Sequence, residues 1–233
     1  MSPPVATPTP LLRRYTAWSL DAAAIGLLVV ALMHRRLYEA LETCARAIDA
    51  LTQAMAALMQ QTLEVAASPP ALLQVWMADP QLQVAITALT LAVSALVLPT
   101  MAVFALVAFA WFSAFEGSQW QATPGKRLLG LQVVDDDGLP PGYVRAGLRN
   151  AAGLLSWVSF NIGHLMAARA PRHQALHDRI AGTRVLQPDP APIPMLARLW
   201  LVLQPSAFFL LLALLMHRID QSLAAALDAT LGF

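Results

Sequence analysis

Apolar residues fall along this chain in three membrane-length runs, separated by stretches of different pattern. The first, residues 15–33, is broken by one ionisable side chain, Asp21. Beyond Arg36 the pattern becomes periodic: Leu37, Leu41, Cys44, Ile48, Leu51, Met55, Leu58, Thr62 and Val65 recur at alternating steps of four and three. That spacing predicts a helix with one apolar seam, and Glu39, Glu42, Arg46, Asp49, Gln53, Gln60 and Glu64 fill its other side. No proline and one glycine, Gly26, occur between residues 11 and 68, so nothing stops the first membrane helix from continuing into the seam. About thirty such residues make about 45 Å of helix. Its polar face is mainly acidic and lacks lysine, the reverse of a helix built to lie on anionic lipid. Protein is the expected neighbour, either the chain's own helices or a partner docked on Leu37, Leu41, Ile48, Leu51, Met55 and Leu58.

Ser68-Pro69-Pro70 breaks that helix, a short segment around Trp76 follows, and Asp79-Pro80 caps the second run, residues 82–115. This exceeds the roughly 20 residues needed to span a bilayer. With Pro99 near its middle, it reads as one kinked span or as a tight hairpin of two short ones. Residues 116–149 form a soluble-looking loop. In it Thr123-Pro124-Gly125-Lys126 starts a helix, and residues 128–134 read as a strand ended by the Asp135-Asp136-Asp137-Gly138 turn. A strand around residues 183–186 is its candidate partner. Residues 150–168 are only moderately apolar, interrupted by Gly153, Ser156, Ser159, Asn161, Gly163 and His164. The third clear run is 196–216, containing Pro205, and an amphipathic tail, 219–231, follows it.

The expected fold is therefore an all-α polytopic membrane protein. It has three to four membrane segments, a long amphipathic extracytoplasmic helix over 37–67 and a small cytoplasmic β-hairpin-like element. Residues 1–10 read as a disordered lead, 11–187 as the main membrane domain, and 188–233 as an additional span with its tail.

Composition agrees with a bilayer protein. Of 233 residues, 58% are hydrophobic and 12% charged, about half the charged share of a soluble domain. Fifteen Lys and Arg against fourteen Asp and Glu leave no basic surface for nucleic acid. One cysteine, Cys44, excludes an internal disulfide. Arg13 and Arg14 before the first run resemble the start of a signal peptide. The run is too long, contains Asp21 and ends in His34, Arg35 and Arg36, so a retained anchor is expected.

The positive-inside bias places the N-terminus in the cytoplasm, from Arg13 and Arg14, and the 116–149 loop with it, from Lys126, Arg127, Arg145 and Arg149. Arg169, Arg172, Arg179 and Arg184 make a second basic loop. Both loops are inside only if residues 150–168 are re-entrant or interfacial; if they cross, the second loop lies outside.

Three ordered motifs carry a resemblance. They are Arg14, Ala17 and Asp21; then residues 123–134, TPGKRLLGLQVV, with Arg145 and Arg149; then residues 176–183, LHDRIAGT. The chain resembles the RDD family of bacterial integral membrane proteins over residues 11–187, with Arg14, Asp21 and Asp178 as the arginine and two aspartates. The resemblance implies a multi-pass domain in the bacterial inner membrane, and cation or solute transport as an activity to weigh. The heptad helix and the span after Gly182-Thr183 depart from the short family pattern.

A carboxylate at the centre of a membrane helix costs roughly 2.5–3.5 kcal/mol on insertion scales. Asp21 is thus a strut paired with Arg14, Asn161 or His164, or a proton or cation carrier. Arg14 and Asp21, seven residues apart, share one helix stripe roughly 10 Å apart. Adjacent His177 and Asp178 point about 100° apart, which disfavours an acid–base pair. Asp178 is expected to hold Arg145, Arg149 or backbone N–H groups within a structural motif with Thr123, Gly125 and Lys126. That motif lacks the glycine spacing of a phosphate loop. The histidines, His173 and His177 included, make no convincing metal site. No enzyme chemistry, cofactor or metal is expected. The lipid bilayer is the expected environment, with either a homo-oligomer or another membrane protein as partner. Two functions follow: an accessory or assembly subunit acting through the heptad helix, or a small proton-coupled carrier using Asp21.

Overall fold

A computed structural model describes residues 7–63, 69–159, 161–169, 173–188 and 191–231. The seam position Val65, its neighbour Glu64, the breaker Ser68, Arg172 of the second basic loop and residues 1–6 of the lead lie outside them. With no breaker to stop it, the first helix, α1, runs unbroken over Leu11–Leu63. A short α2, Pro69–Ala78, leads to α3, Pro80–Gly117. The Asp79 carboxylate caps α3 by accepting from Leu82 N at 2.7 Å. Pro99 sits inside α3, so residues 82–115 form one helix and not a hairpin. The last helix, α8, Met195–Leu231, takes span and tail together and tolerates Pro205. Among the described residues, α1, α3 and α8 are the three helices long and apolar enough to cross a membrane.

Between α3 and α8 the chain builds α4, Pro124–Leu128; β2, Gln132–Asp135; α5, Gly142–Val158; α6, Ile162–Leu165, with a 3-10 turn over Met166–Ala168; α7, Leu176–Ile180; and β3, Thr183–Gln187. Residues 150–168 thus divide among several short elements. On α5, Ala146, Arg149, Ala152 and Ser156 turn inward, while Val144, Leu148 and Leu155 are exposed; the helix is amphipathic, with an apolar outer face.

β2 and β3 pair antiparallel, Val133 opposite Val185. β2 begins later than the pattern predicts because residues 126–128 complete α4. A third strand, β1, Thr7–Pro8, joins the other edge of β3, giving the order β1-β3-β2. Those two residues belong to the stretch read as a disordered lead. Proline at a sheet edge loses no ladder bond, and the Thr9 hydroxyl adds a hydrogen bond to Val185 O at 3.2 Å.

The chain divides into two compact units, and each long helix contributes to both. In the unit formed by residues 1–29 and 103–203, the core joins Ala17 of α1, Leu129 and Leu131, Val133 and Val185 of the sheet, and Ala197 of α8. In the unit formed by residues 30–102 and 204–233, α1 and α3 run antiparallel. Cys44 and Ala47 meet Leu89, Ala92 and Leu96, while Ala54 and Leu58 meet Leu82 and Ala85. Asp49, on the polar side of α1, accepts from Arg218 of α8 at 2.8 and 3.0 Å and from the Ser222 hydroxyl at 2.7 Å.

Candidate functional site

Six charged side chains meet inside the first unit, contributed by α1, α3, α4, α5 and α7. Arg14 donates to Asp178 Oδ2 at 2.7 Å. Arg149 Nε donates to Asp178 Oδ1 at 3.0 Å, and its Nη1 to Glu116 Oε2 at 2.5 Å. The other Glu116 oxygen accepts from Lys126 Nζ. Asp21 lies in the field of Lys126. The sequence of charges Arg14, Asp178, Arg149, Glu116, Lys126, Asp21 alternates in sign, and three cations balance three carboxylates. Each carboxylate is at most 1% exposed. Buried charge of this kind is tolerable only when paired and hydrogen-bonded.

Asp21 is held by the segment that opens α4. The Thr123 hydroxyl donates to Oδ2 at 2.5 Å, and Gly125 N and Trp111 Nε1 donate to Oδ1 at 2.9 and 3.4 Å. The same Thr123 oxygen accepts from Lys126 N at 3.4 Å, as an N-cap does. Gly125 is required by space. A Cβ there would run into the Ala17 carbonyl and lie 2.8 Å from Asp21 Oδ2. Arg14, one end of the same stripe of α1, also donates to the carbonyls of His173 at 2.7 Å and Val185 at 3.4 Å. Arg13 donates to Leu129 O at 2.9 Å and to Ala191 O. The start of α1 is thereby tied to α4, to the segment before α7 and to β3.

Desolvation works against every one of these charges; the partners overcome it at Asp178 and Arg149, and burial prevails at Lys126. Burial would raise the Asp178 carboxyl, but Arg149, His177 and Arg14 hold it well below its usual range. Burial would lower Arg149, yet Glu116 and Asp178 raise it. Lys126 is lowered by burial, with Glu116 pulling the other way. Burial, reinforced by Arg149, pushes His177 down to about 3, so this ring is neutral. Its Nε2 lies 3.3 Å from Arg149 Nη2, and its ring centre lies 5.1 Å from that of His164.

The expected residues distribute unevenly. Arg14, Asp21, Thr123, Gly125, Lys126, Arg149 and Asp178 come together in the cluster. Arg14 and Asp21 do not bond each other. Asn161 is exposed, at a positive φ of 64°, and His164 sits beside His177; the hydrogen bonds to Asp21 come from Thr123, Gly125 and Trp111 instead. Arg145 pairs with Asp135 at 2.7 Å, steadying the β2 turn. Leu51, Met55 and Leu58 of the seam pack with Leu82 and Ala85 of the chain's own α3, while Leu41 is exposed. Glu116 was not singled out from the sequence, although it is the lone acid at the end of an apolar run of more than thirty residues. Among the described residues no group of three or more His, Cys, Asp or Glu is placed to hold a metal ion. Chemically the cluster can fix segments in place, and it can hold a carboxylate of an apolar helix without exposing it.

Comparison with known proteins places the chain in a family. The RDD family model matches residues 8–182. An uncharacterized protein of Bacillus subtilis (strain 168), YxaI, is 35% identical over 89 residues, 38% of this chain; the match spans 58% of that relative's length. No solved structure matches. With three apolar helices and a family model covering the cluster from Arg14 to Asp178, the chain belongs to the RDD family of membrane proteins.

Proposed function

We propose that this protein is an accessory or assembly subunit of the bacterial inner membrane, in which the ionic cluster latches residues 118–188 onto α1 as a fixed platform. The observation that carries this reading is saturation. Asp21 accepts three hydrogen bonds, Glu116 is shared by Lys126 and Arg149, and Asp178 accepts from Arg14, Arg149 and Ala175 N. A cargo cation would have to displace a protein partner. The pairing of β3 with both β1 and β2 supports a topology with the N-terminus and both basic loops in the cytoplasm. In it α5 and α6 lie at the interface and the end of α8 lies outside. Because α3 occupies the seam at Leu51 and Leu58, partner contact falls to the exposed side of α1 around Tyr38 and Leu41. The test is the mass and composition of the tagged protein extracted in mild detergent. A stoichiometric foreign subunit supports the reading, and a bare monomer or homo-oligomer contradicts it. A second reading, a proton-coupled carrier, is favoured by one feature, the Asp21 carboxylate set inside an apolar helix beside Lys126.

A further inference from the structure

At the C-terminal end of α3, where the chain leaves the apolar helix, a hollow of about 470 Å³ is lined by Ala114, Phe115, Ser118, Gln119, Trp120 and Tyr143. Its shape is held rigidly. Ser118 Oγ accepts from Trp120 N at 3.1 Å and donates to Phe115 O at 2.8 Å. Gln121, at a positive φ of 51°, is locked by accepting Val133 N at 2.7 Å. Gly117 lets the backbone of Tyr143 come so close that a Cβ would stand 2.7 Å from its Cα, which sets the Tyr143 ring as a wall. Trp120 stacks on Phe115 at 5.4 Å and carries the Arg127 guanidinium 4.4 Å over its ring. Arg127 is exposed and takes part in none of the ion pairs among the described residues, in contrast to its neighbour Lys126, which is buried on Glu116. Among the described residues no carboxylate lines the hollow.

Aromatic rings at a membrane boundary sit at headgroup level, and a guanidinium matches a phosphate in shape and charge. We propose that this hollow binds the headgroup of an anionic phospholipid, with its phosphate on Arg127, its polar head against Ser118 and Gln119, and its acyl chains along the exposed apolar side chains of α3 and α5. Phe109 and Leu106 of α3 and Leu148 of α5 supply such a surface.

The test is native mass spectrometry of delipidated protein in detergent, titrated with phosphatidylglycerol, with phosphatidylethanolamine or with inorganic phosphate. A one-to-one phosphatidylglycerol adduct is expected, weakened about fivefold in Arg127→Gln, as one interfacial cation predicts, and weakened also in Trp120→Ala. Trp120→Phe, which keeps the ring, should retain it, as should Arg46→Gln, which removes a cation elsewhere. If Trp120→Ala does not fold, Arg127→Gln and Trp120→Phe decide. Equal adducts in the wild type and Arg127→Gln would overturn the proposal. So would equal binding of phosphatidylethanolamine, or displacement of the lipid by inorganic phosphate alone. The readout is a lipid and not a protein subunit, so it is independent of whether a partner is found.

Discussion

Arg149 joins Glu116 to Asp178 through one guanidinium, Nη1 on the first carboxylate at 2.5 Å and Nε on the second at 3.0 Å. That single side chain ties the end of α3 to α7, and through Asp178 to Arg14 of α1. The fork needs the planar geometry of arginine, because an ammonium is a point charge without two fixed directions.

Arg149→Lys should therefore destabilise the protein strongly. Lysine keeps the charge but cannot reproduce both fixed directions, so a charge-assisted hydrogen bond worth about 1.5–3 kcal/mol is lost. Glu116→Gln should cost about 3–5 kcal/mol by removing the carboxylate that Lys126 and Arg149 share and leaving one buried positive charge in excess, and adding Lys126→Met should recover part of the loss. Thermal unfolding in detergent reads all three variants. No recovery in the double variant would show that the Glu116–Lys126 pair does not act as a unit.

Gly125→Ala should unseat α4 from α1, since the new methyl group meets the Ala17 carbonyl and the Asp21 carboxylate. Neither neighbour can retreat without breaking a hydrogen bond, so a loss of about 1–3 kcal/mol is expected. Proteolysis of residues 118–141 should become faster in this variant. An unchanged cleavage rate would contradict the latch.

The long apolar helices and the two main strands are legible in the residues, because hydrophobic run length and the Asp-Gly turn are local signals. What the pattern leaves out is distance. Glu116, Lys126, Arg149 and Asp178 meet from separate elements, and no periodicity links them. Asp21 announces itself as an expensive charge, but its hydrogen-bond donors, a threonine hydroxyl and a glycine N–H more than a hundred residues away, carry no charge to attract notice. β1 is two residues long and contains a proline, so it has no strand signature at all. The seam is visible as a pattern, whereas its occupant, α3, is not, because a heptad states that something packs there without naming it.

That occupant changes what Leu51 and Leu58 should do. Leu58→Glu should lower the stability of the single chain, by about 2–5 kcal/mol for loss of a buried leucine, and leave any complex with another protein intact in the fraction that folds. Size-exclusion chromatography and melting curves together distinguish this from loss of a partner. A folded variant that has lost a subunit would return the seam to the partner.

His177 gives the latch an acid sensitivity. Held at about 3 by burial and Arg149, below its ordinary value near 6.5, it stays neutral in the latched state and takes a proton only when released. The stabilisation is complete above about pH 6.5 and is lost as pH falls toward 3, by up to tenfold in the latching equilibrium per pH unit. Asp178, also depressed, adds its loss only below the ordinary carboxylate range. The groups facing His177 are Arg149, Asp178, His164 and Glu116. Melting temperature should fall between pH 7 and pH 5, and His177→Gln should flatten that slope. An unchanged slope would assign the sensitivity elsewhere.

The most direct measurement pairs stability with flux for Asp21→Asn. In proteoliposomes under a proton gradient, the latch account predicts no proton-coupled flux above empty vesicles for the wild type. It also predicts a lower melting temperature for the variant, by about 1–3 kcal/mol of lost hydrogen bonding to a buried carboxylate. Wild-type flux that disappears in Asp21→Asn while the melting temperature stays the same would contradict it, and would make Asp21 a carrier.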